Sequence, residues 1–258
     1  IRDRVSIMPR PIILLTNDDG IHAKGLAHLS EMMESIGDVY VFAPDREQSA
    51  VGHGVSLRKP LRVTPVKEKW HMVDGTPTDC VMLAVRDLLG VKPSLIIAGI
   101  NAGANLGDDI TYSGTVAGAF EGMLLGVPSF SISIVSHEPE NFESAGIFAV
   151  KLSRYILKYG LPADTMLNVN VPDLPYTELK GVAITKMGRR NYQDEIIKRY
   201  DPRGQIYYWI GGAQPTHIQE AGTDFEAIEQ NQISITPLQR DFTNHSALSY
   251  FYDPRIEL

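Results

Sequence analysis

The sequence predicts an α/β protein on a doubly wound, mostly parallel sheet, Rossmann-like in its three layers, with a C-terminal strand and hairpin extension. Three observations predict it. Apolar runs of strand length alternate with segments of helical spacing through the first two thirds of the 258 residues. Runs such as Ile13-Leu14-Leu15 and Leu95-Ile96-Ile97-Ala98 are continuous rather than alternating, as parallel strands covered on both faces are. Finally, three of these runs break off into polar clusters, and an open parallel sheet binds its ligands beyond the carboxyl ends of its strands.

Taken in order, residues 12–15 form the first predicted strand, followed by a helix over 24–36 with Leu26, Leu29, Met33 and Ile36 on one face. Residues 39–43 are a second buried strand. Between 55 and 73 the pattern changes: Ser56-Leu57-Arg58 and Leu61-Arg62-Val63 alternate around Lys59-Pro60 and suggest an edge hairpin. Residues 77–89 read as a helix capped by Thr76, with Pro77 in its first turn. A strand over 95–98, a helix over 114–125 rich in small residues (Gly118, Ala119, Gly122), a strand over 129–135, a helix over 142–159 and a strand over 166–171 complete the alternation. Past Gly181 come short strands at 182–185, 205–210 and 232–235, and a charged arm over 188–204 that is either a loop or a hairpin embracing another subunit. The expected division is an α/β domain over 8–180 and a C-terminal extension over 181–258, with 1–7 set aside as a remnant.

The hydrophobic fraction of 43% is enough for a sizeable core, and a net charge of −7 argues against a binder of nucleic-acid duplexes, which shows a basic face. Cys80 is the single cysteine, so no intramolecular disulfide forms; this fits a reducing, cytoplasmic setting. Followed by Val81-Met82-Leu83, it reads as a buried helical thiol. No apolar stretch is long enough to span a bilayer, and no membrane partner is expected.

The polar clusters carry the chemistry. Asn17-Asp18-Asp19-Gly20 ends the first strand. Adjacent carboxylates there repel each other and resist desolvation, and a hard divalent cation removes both problems; the other reading is a solvated turn. Pro44-Asp45-Arg46-Glu47-Gln48-Ser49 follows the second strand, and Gly99-Ile100-Asn101-Ala102-Gly103-Ala104-Asn105 continues the strand at 95–98, so all three converge on one edge. Ser113-Gly114-Thr115 opens a helix, whose N-terminus suits a phosphate; plain capping by Ser113 is the compatible alternative. No Gly-Lys-Ser/Thr phosphate loop or Gly-x-Gly-x-x-Gly turn is present, which disfavours nucleotide motors and dinucleotide oxidoreductases.

Five blocks, in order, resemble the SurE (stationary-phase survival protein) family of metal-dependent nucleotidases: Ile13 to Gly20, Ala43 to Ser49, Gly75-Thr76-Pro77-Thr78-Asp79-Cys80, Gly99 to Gly107, and Tyr112-Ser113-Gly114-Thr115-Val116-Ala117. Asn168-Val169-Asn170-Val171-Pro172 and Thr223-Asp224 match more diffusely. The resemblance implies one divalent cation per subunit, Mg²⁺ or Mn²⁺, held by Asp18, Asp19, Ser49 and Asn101, all hard oxygen donors. It implies hydrolysis of nucleoside monophosphates, as a 5′-nucleotidase with 3′-nucleotidase and exopolyphosphatase action in view. Asn17, Asn105, Ser113, Gly114 and Thr115 are then expected to bind the substrate, and Asp18 or Asp19 to take the proton of the attacking water. A homodimer or homotetramer clasped by the C-terminal extension is the expected assembly.

Other readings are kept beside this one. A non-catalytic nucleotide or metal sensor shares the fold. A haloacid-dehalogenase-type phosphatase separates its two aspartates by two positions, whereas Asp18 and Asp19 are adjacent. His22 and His53 are loop histidines or proton donors to the leaving group; Trp70, Trp209 and Tyr112 stack on a base or pack in a core or interface. Asp45 and Arg46 are expected to support the Ser49 loop, and Asp79 to serve its helix N-terminus.

Overall fold

The computed structural model describes residues 10–191, 196–210 and 216–252. Residues 1–7, and Asp194 and Glu195 of the arm, lie outside them. In chain order the elements are β1 (Ile12–Thr16), α1 (Lys24–Met33), β2 (Asp38–Pro44), β3 (Val63–Lys67), β4 (Trp70–Val73), α2 (Pro77–Leu83), β5 (Leu95–Ala102), α3 (Gly114–Leu124), β6 (Ser129–Val135), α4 (Phe142–Tyr159) and β7 (Thr165–Pro172). Then come β8 (Val182–Ile184), β9 (Arg190–Asn191), β10 (Ile196–Tyr200), β11 (Ile206–Ile210), β12 (Thr216–His217), α5 (Asp224–Glu229), β13 (Ile233–Gln239) and α6 (Leu248–Phe251).

One sheet runs through the molecule in the order β3-β4-β2-β1-β5-β6-β7-β13-β8. From β4 to β7 the neighbouring pairs are all parallel. Both faces are covered. Ile13 and Leu15 of β1 point at α1 and α4, whose Leu26, Leu29, Met33, Phe148 and Leu152 complete that core. Leu14 points the other way, into a cluster with Phe42, Ile96 and Cys80 on the α2 side. Strict alternation of facing on a strand buried from both sides is why the runs are continuously apolar. The small residues of α3 let it lie close to the sheet: a Cβ on Gly118 would stand 2.9 Å from Thr16 Cγ2, and one on Gly122 would stand 3.0 Å from Ile96 Cδ1.

The edge hairpin is displaced from its predicted place. It is β3 and β4, joined through Lys69 at φ +61°, while residues 55–62 form no strand. Two of their backbone donors go to side chains, Ser56 N–H to Asp79 Oδ1 at 3.0 Å and Arg62 N–H to Asp74 Oδ1 at 2.7 Å, and Pro60 has no N–H to give. The predicted 77–89 helix is α-helical only through Leu83 and continues as a π-helical turn, Ala84–Leu88. Thr76 caps it in a reciprocal box with Asp79, so Asp79 serves the helix N-terminus.

Past residue 180, β13 enters the sheet antiparallel to β7, and β8 flanks it. The 205–210 strand is half of a hairpin: β10 and β11 pair antiparallel from Ile196↔Ile210 to Tyr200↔Ile206. That ribbon exposes Ile196, Tyr200, Tyr208, Trp209 and Ile210. Its root is the two-stranded pair β9–β12. Among the described residues no helix is long and apolar enough to cross a membrane.

Candidate active site

The chain leaves β1 toward β2 and β4 on one side of the sheet, then returns at β5 and continues to β6 and β7 on the other. The point of reversal is therefore the gap between β1 and β5, paired through Thr16↔Ala98. Asp18 and Asp19 follow β1 directly, and Asn101 sits near the end of β5. This is the crevice where a doubly wound sheet binds its ligand.

Asp18 is buried, 5% exposed. Thr115 at the start of α3 donates its backbone N–H to Asp18 Oδ2 at 3.0 Å, and its hydroxyl to Asp18 Oδ1. Burial pushes the Asp18 carboxyl above its ordinary range, and the two Thr115 bonds pull against that rise. Asp19 is half-buried and accepts a long bond, 3.4 Å, from Ala102 N–H. Burial first, then the neighbouring Asp18 charge and Glu47, raise its carboxyl to about 6. The Ser49 loop reaches the pair through its backbone: Gln48 N–H donates to the Asp18 carbonyl at 2.7 Å.

The other candidate donors lie on the segments that follow β1 and β2, at the end of β5 and at the start of α3. Ser49 Oγ donates to Glu47 Oε1 at 2.7 Å, which uses its proton and leaves the oxygen able to accept or ligate. Asn101 Nδ2 donates to the Gly103 carbonyl at 2.8 Å, so its amide oxygen is the atom remaining for a ligand. Asn17 is fully buried; Nδ2 donates to the Gly20 carbonyl at 2.9 Å, and Oδ1 has no hydrogen-bond partner among the described residues. Gly20 makes this turn possible: its φ is +97°, and a Cβ would stand 3.2 Å from the Arg46 carbonyl carbon. Ser113 Oγ accepts from Val116 N–H at 3.1 Å, capping α3, and its own proton stays available. Gly114 packs on Asp18 so closely that a Cβ would lie 2.9 Å from Asp18 Cβ.

Asn105 stands apart from the aspartate pair, deeper toward β6 and β7. Its Nδ2 donates to Ser133 Oγ at 2.8 Å, and its backbone N–H donates to Asn170 Oδ1 at 2.9 Å. Its carbonyl accepts from Asn168 Nδ2 at 2.8 Å and from Asn170 Nδ2 at 2.9 Å. The sequence reading gave Asn168, Asn170 and Ser133 no role. The available signal was period two: Asn168 and Asn170 alternate with Val169 and Val171, so both amides face away from the apolar core of the α1–α4 layer.

The remaining expected residues scatter. His22 is exposed, and His53 Nε2 lies 3.0 Å from the buried Glu121 Oε2. His53 borders a cavity of about 610 Å³ over α3, lined by Ser113, Val116 and Phe120 among others. Trp70 packs into the core, Trp209 lies on the exposed hairpin, and Tyr112 is exposed. Asp45 and Arg46 pair with each other at 3.7 Å.

The Survival protein SurE family model matches residues 13–194. This chain belongs to the SurE family. A protein named 5′-nucleotidase SurE from Geobacter sulfurreducens is 51% identical over 238 residues, covering 92% of this chain and 91% of the relative. One of the same name from Moorella thermoacetica is 50% identical over 240 residues, 91% and 92% of the two chains. The crystal structure of the SurE protein from Aquifex aeolicus superposes with a TM-score of 0.84 at 42% identity, covering 94% of this chain and all of that one. The SurE architecture is thus the doubly wound α/β sheet described above, with its additional C-terminal strands.

Proposed function

We propose that this SurE chain is a divalent-metal-dependent 5′-nucleotidase that hydrolyses nucleoside monophosphates to nucleoside and phosphate. The observation that carries the reading is the pair Asp18 and Asp19 at the reversal of the sheet, set against the N-terminus of α3. The name shared by its relatives gives the same activity.

The donor set fits a hard cation. Two carboxylates meet there, and burial followed by the neighbouring Asp18 charge raises Asp19, a cost that a bound cation would offset. Ser49 and Asn101 offer oxygens whose donor partners are already engaged elsewhere. Asp18, Asp19, Ser49 and Asn101 would hold Mg²⁺ or Mn²⁺, one ion per subunit. When bound, the ion supplies the charge that polarises the phosphoryl group and lowers the pKa of a water. The chain does the rest. Gly114 N–H and the Ser113 hydroxyl, at the positive end of α3, donate to phosphoryl oxygens. Thr115 has both donors on Asp18 and holds that carboxylate in place rather than donating to the phosphate. Asp19 is the less enclosed carboxylate and takes the proton of the attacking water. Asn17 and Asn105 shape the floor of the crevice, each held by its own amide nitrogen.

The same reading treats 181–258 as an extension that assembles a homodimer or homotetramer, supported by the exposed apolar ribbon β10–β11. It places the enzyme in the cytoplasm, which suits the single, buried Cys80. Phosphate release from a nucleoside monophosphate panel, after EDTA and with Mg²⁺, Mn²⁺, Ca²⁺ or Zn²⁺ restored singly, tests the activity. Release that returns with Mg²⁺ or Mn²⁺ is expected; no release with any metal moves the reading to a sensor. Excision of residues 196–210 tests the assembly: unchanged mass by light scattering overturns that part.

A further inference from the structure

The loop that runs from Asn101 to Ser113 carries Asn101, Asn105 and Ser113 of the proposed site, and it is tied down from the far end of the chain. Asp224, at the start of α5, is fully buried. Its Oδ2 accepts from Gly107 N–H at 2.7 Å. Its Oδ1 accepts from Gly188 N–H at 2.8 Å and from Phe225 N–H at 3.0 Å. One carboxylate thus joins the active-site loop to the root of the arm. Charge-assisted bonds of this length between a buried carboxylate and backbone amides are among the stronger ones a fold contains.

The surrounding contacts point the same way. A Cβ on Gly107 would stand 2.7 Å from the Gly188 carbonyl oxygen and from Phe225 Cε2, so loop and arm root touch with no space for a methyl group. Arg190, in β9 of the root, donates its N–H to Asp108 Oδ2 at 2.9 Å and its Nε to Asp109 Oδ2 at 2.9 Å. Its guanidinium lies 4.8 Å from the Phe225 ring centre, and His217 of β12 stacks on that ring at 4.4 Å. Gly107 to Thr111 form a 3-10 turn that ends two residues before Ser113, so a displacement at Gly107 is passed to the donors of α3.

We propose that Asp224 is a positioning residue for the phosphate site, and that through it the placement of the catalytic loop depends on the root of the arm. This rests on the nucleotidase reading and deepens it: a segment far from the chemistry in sequence sets the geometry in which Ser113 and Gly114 meet the substrate.

Asp224→Asn separates this role from a structural one. With its amide oxygen in the place of Oδ1, the variant keeps the bonds from Gly188 and Phe225, and its NH2 faces the Gly107 N–H donor to donor. The measurements are kcat and KM for AMP with saturating Mn²⁺, the melting temperature, and hydrogen exchange of residues 101–113. The expected result is a fall in kcat of ~10-fold or more with a smaller change in KM, since misplacing reacting groups costs rate steeply. Faster exchange in the loop accompanies it, in a protein that still melts cooperatively. A folded variant with wild-type kcat overturns the proposal, whether or not the loop exchanges faster. If Asp224→Asn does not fold, Arg190→Met loosens the same loop from Asp109 and must lower kcat; retained kcat there overturns it equally. If the wild-type protein releases no phosphate, the nucleotidase reading fails instead, and unchanged loop exchange in the variant still refutes the hold of Asp224 on the loop.

Discussion

Thr115 gives both of its donors, the backbone N–H at 3.0 Å and the side-chain hydroxyl, to the carboxylate of Asp18. The residue that opens a helix is therefore the residue that holds a buried acid in place. Thr115→Val keeps the shape and removes the hydroxyl. It leaves a buried carboxylate oxygen short of a donor, which costs about 1–3 kcal/mol. Activity is expected to fall by ~10-fold or more while Thr115→Ser stays close to wild type. Steady-state kinetics on both variants, beside their melting curves, check this; equal activity of the Val and Ser variants would contradict it.

Gly114 tests the same contact from the other side. A methyl group there would come within 3.0 Å of Asp18 Oδ2 and 3.1 Å of Val51 Cγ1. Gly114→Ala must push either the helix or the carboxylate away. Alanine favours helix, so helical propensity itself improves. The expected outcome is a protein at least as helical by circular dichroism and with strongly reduced turnover. Full turnover would show that the crevice relaxes without penalty.

Asp19 gives a pH dependence with a definite sign. Its carboxyl is raised from the ordinary 3.8 to about 6 in the folded chain. A raised folded value means the native state holds its proton longer than the unfolded state does. The stability this provides is present below about 3.8 and is lost as pH rises toward 6. In EDTA, melting temperature is therefore expected to fall across that window. Asp19→Asn should flatten the fall and be more stable than wild type at pH 7, by on the order of 1 kcal/mol, with a correspondingly higher melting temperature, while losing activity with Mg²⁺ or Mn²⁺. Identical pH–melting profiles for the two proteins would remove the assignment.

Asn170 pairs with the Asn105 peptide twice, accepting from its N–H at 2.9 Å and donating to its carbonyl at 2.9 Å. Asn170→Ala leaves that buried N–H without a partner, at a cost of about 1–3 kcal/mol. Asn168 still serves the carbonyl, so the loop is loosened rather than released. Chemical denaturation should show the loss, and KM for a nucleoside monophosphate should rise. A variant of unchanged stability would mean that water replaces the amide.

The local signals in this chain were clear where one segment decides its own conformation. Apolar runs made β1, β2 and β5; Thr76 with Asp79 and Pro77 made the start of α2; Ser113 made the start of α3. The hairpin before β4 was misplaced because Ser56 and Arg62 give their N–H groups to Asp79 and Asp74, partners 23 and 12 residues away that no local pattern reveals. Asn168, Asn170 and Asp224 lie in stretches that resemble the family, yet the sequence assigns them no role, for the same reason. Each looks like an ordinary polar residue until the fold brings it to the peptide of Asn105 or Gly107, 63 to 117 residues earlier.

By itself, then, the sequence determined the alternation of strands and helices, and it determined that acidic and amide residues leave the strand ends. Both follow from side-chain periodicity and from the cost of burying polar groups. Only the tertiary structure decided which donors hold which acceptors. Asp18 owes its placement to Thr115 and Asp19 its raised carboxyl to burial beside Asp18, while the loop between Asn101 and Ser113 owes its shape to Asn170 and Asp224. Hydrogen bonds and desolvation depend on what surrounds a group in space, and for these residues the surroundings come from chain segments far away in sequence.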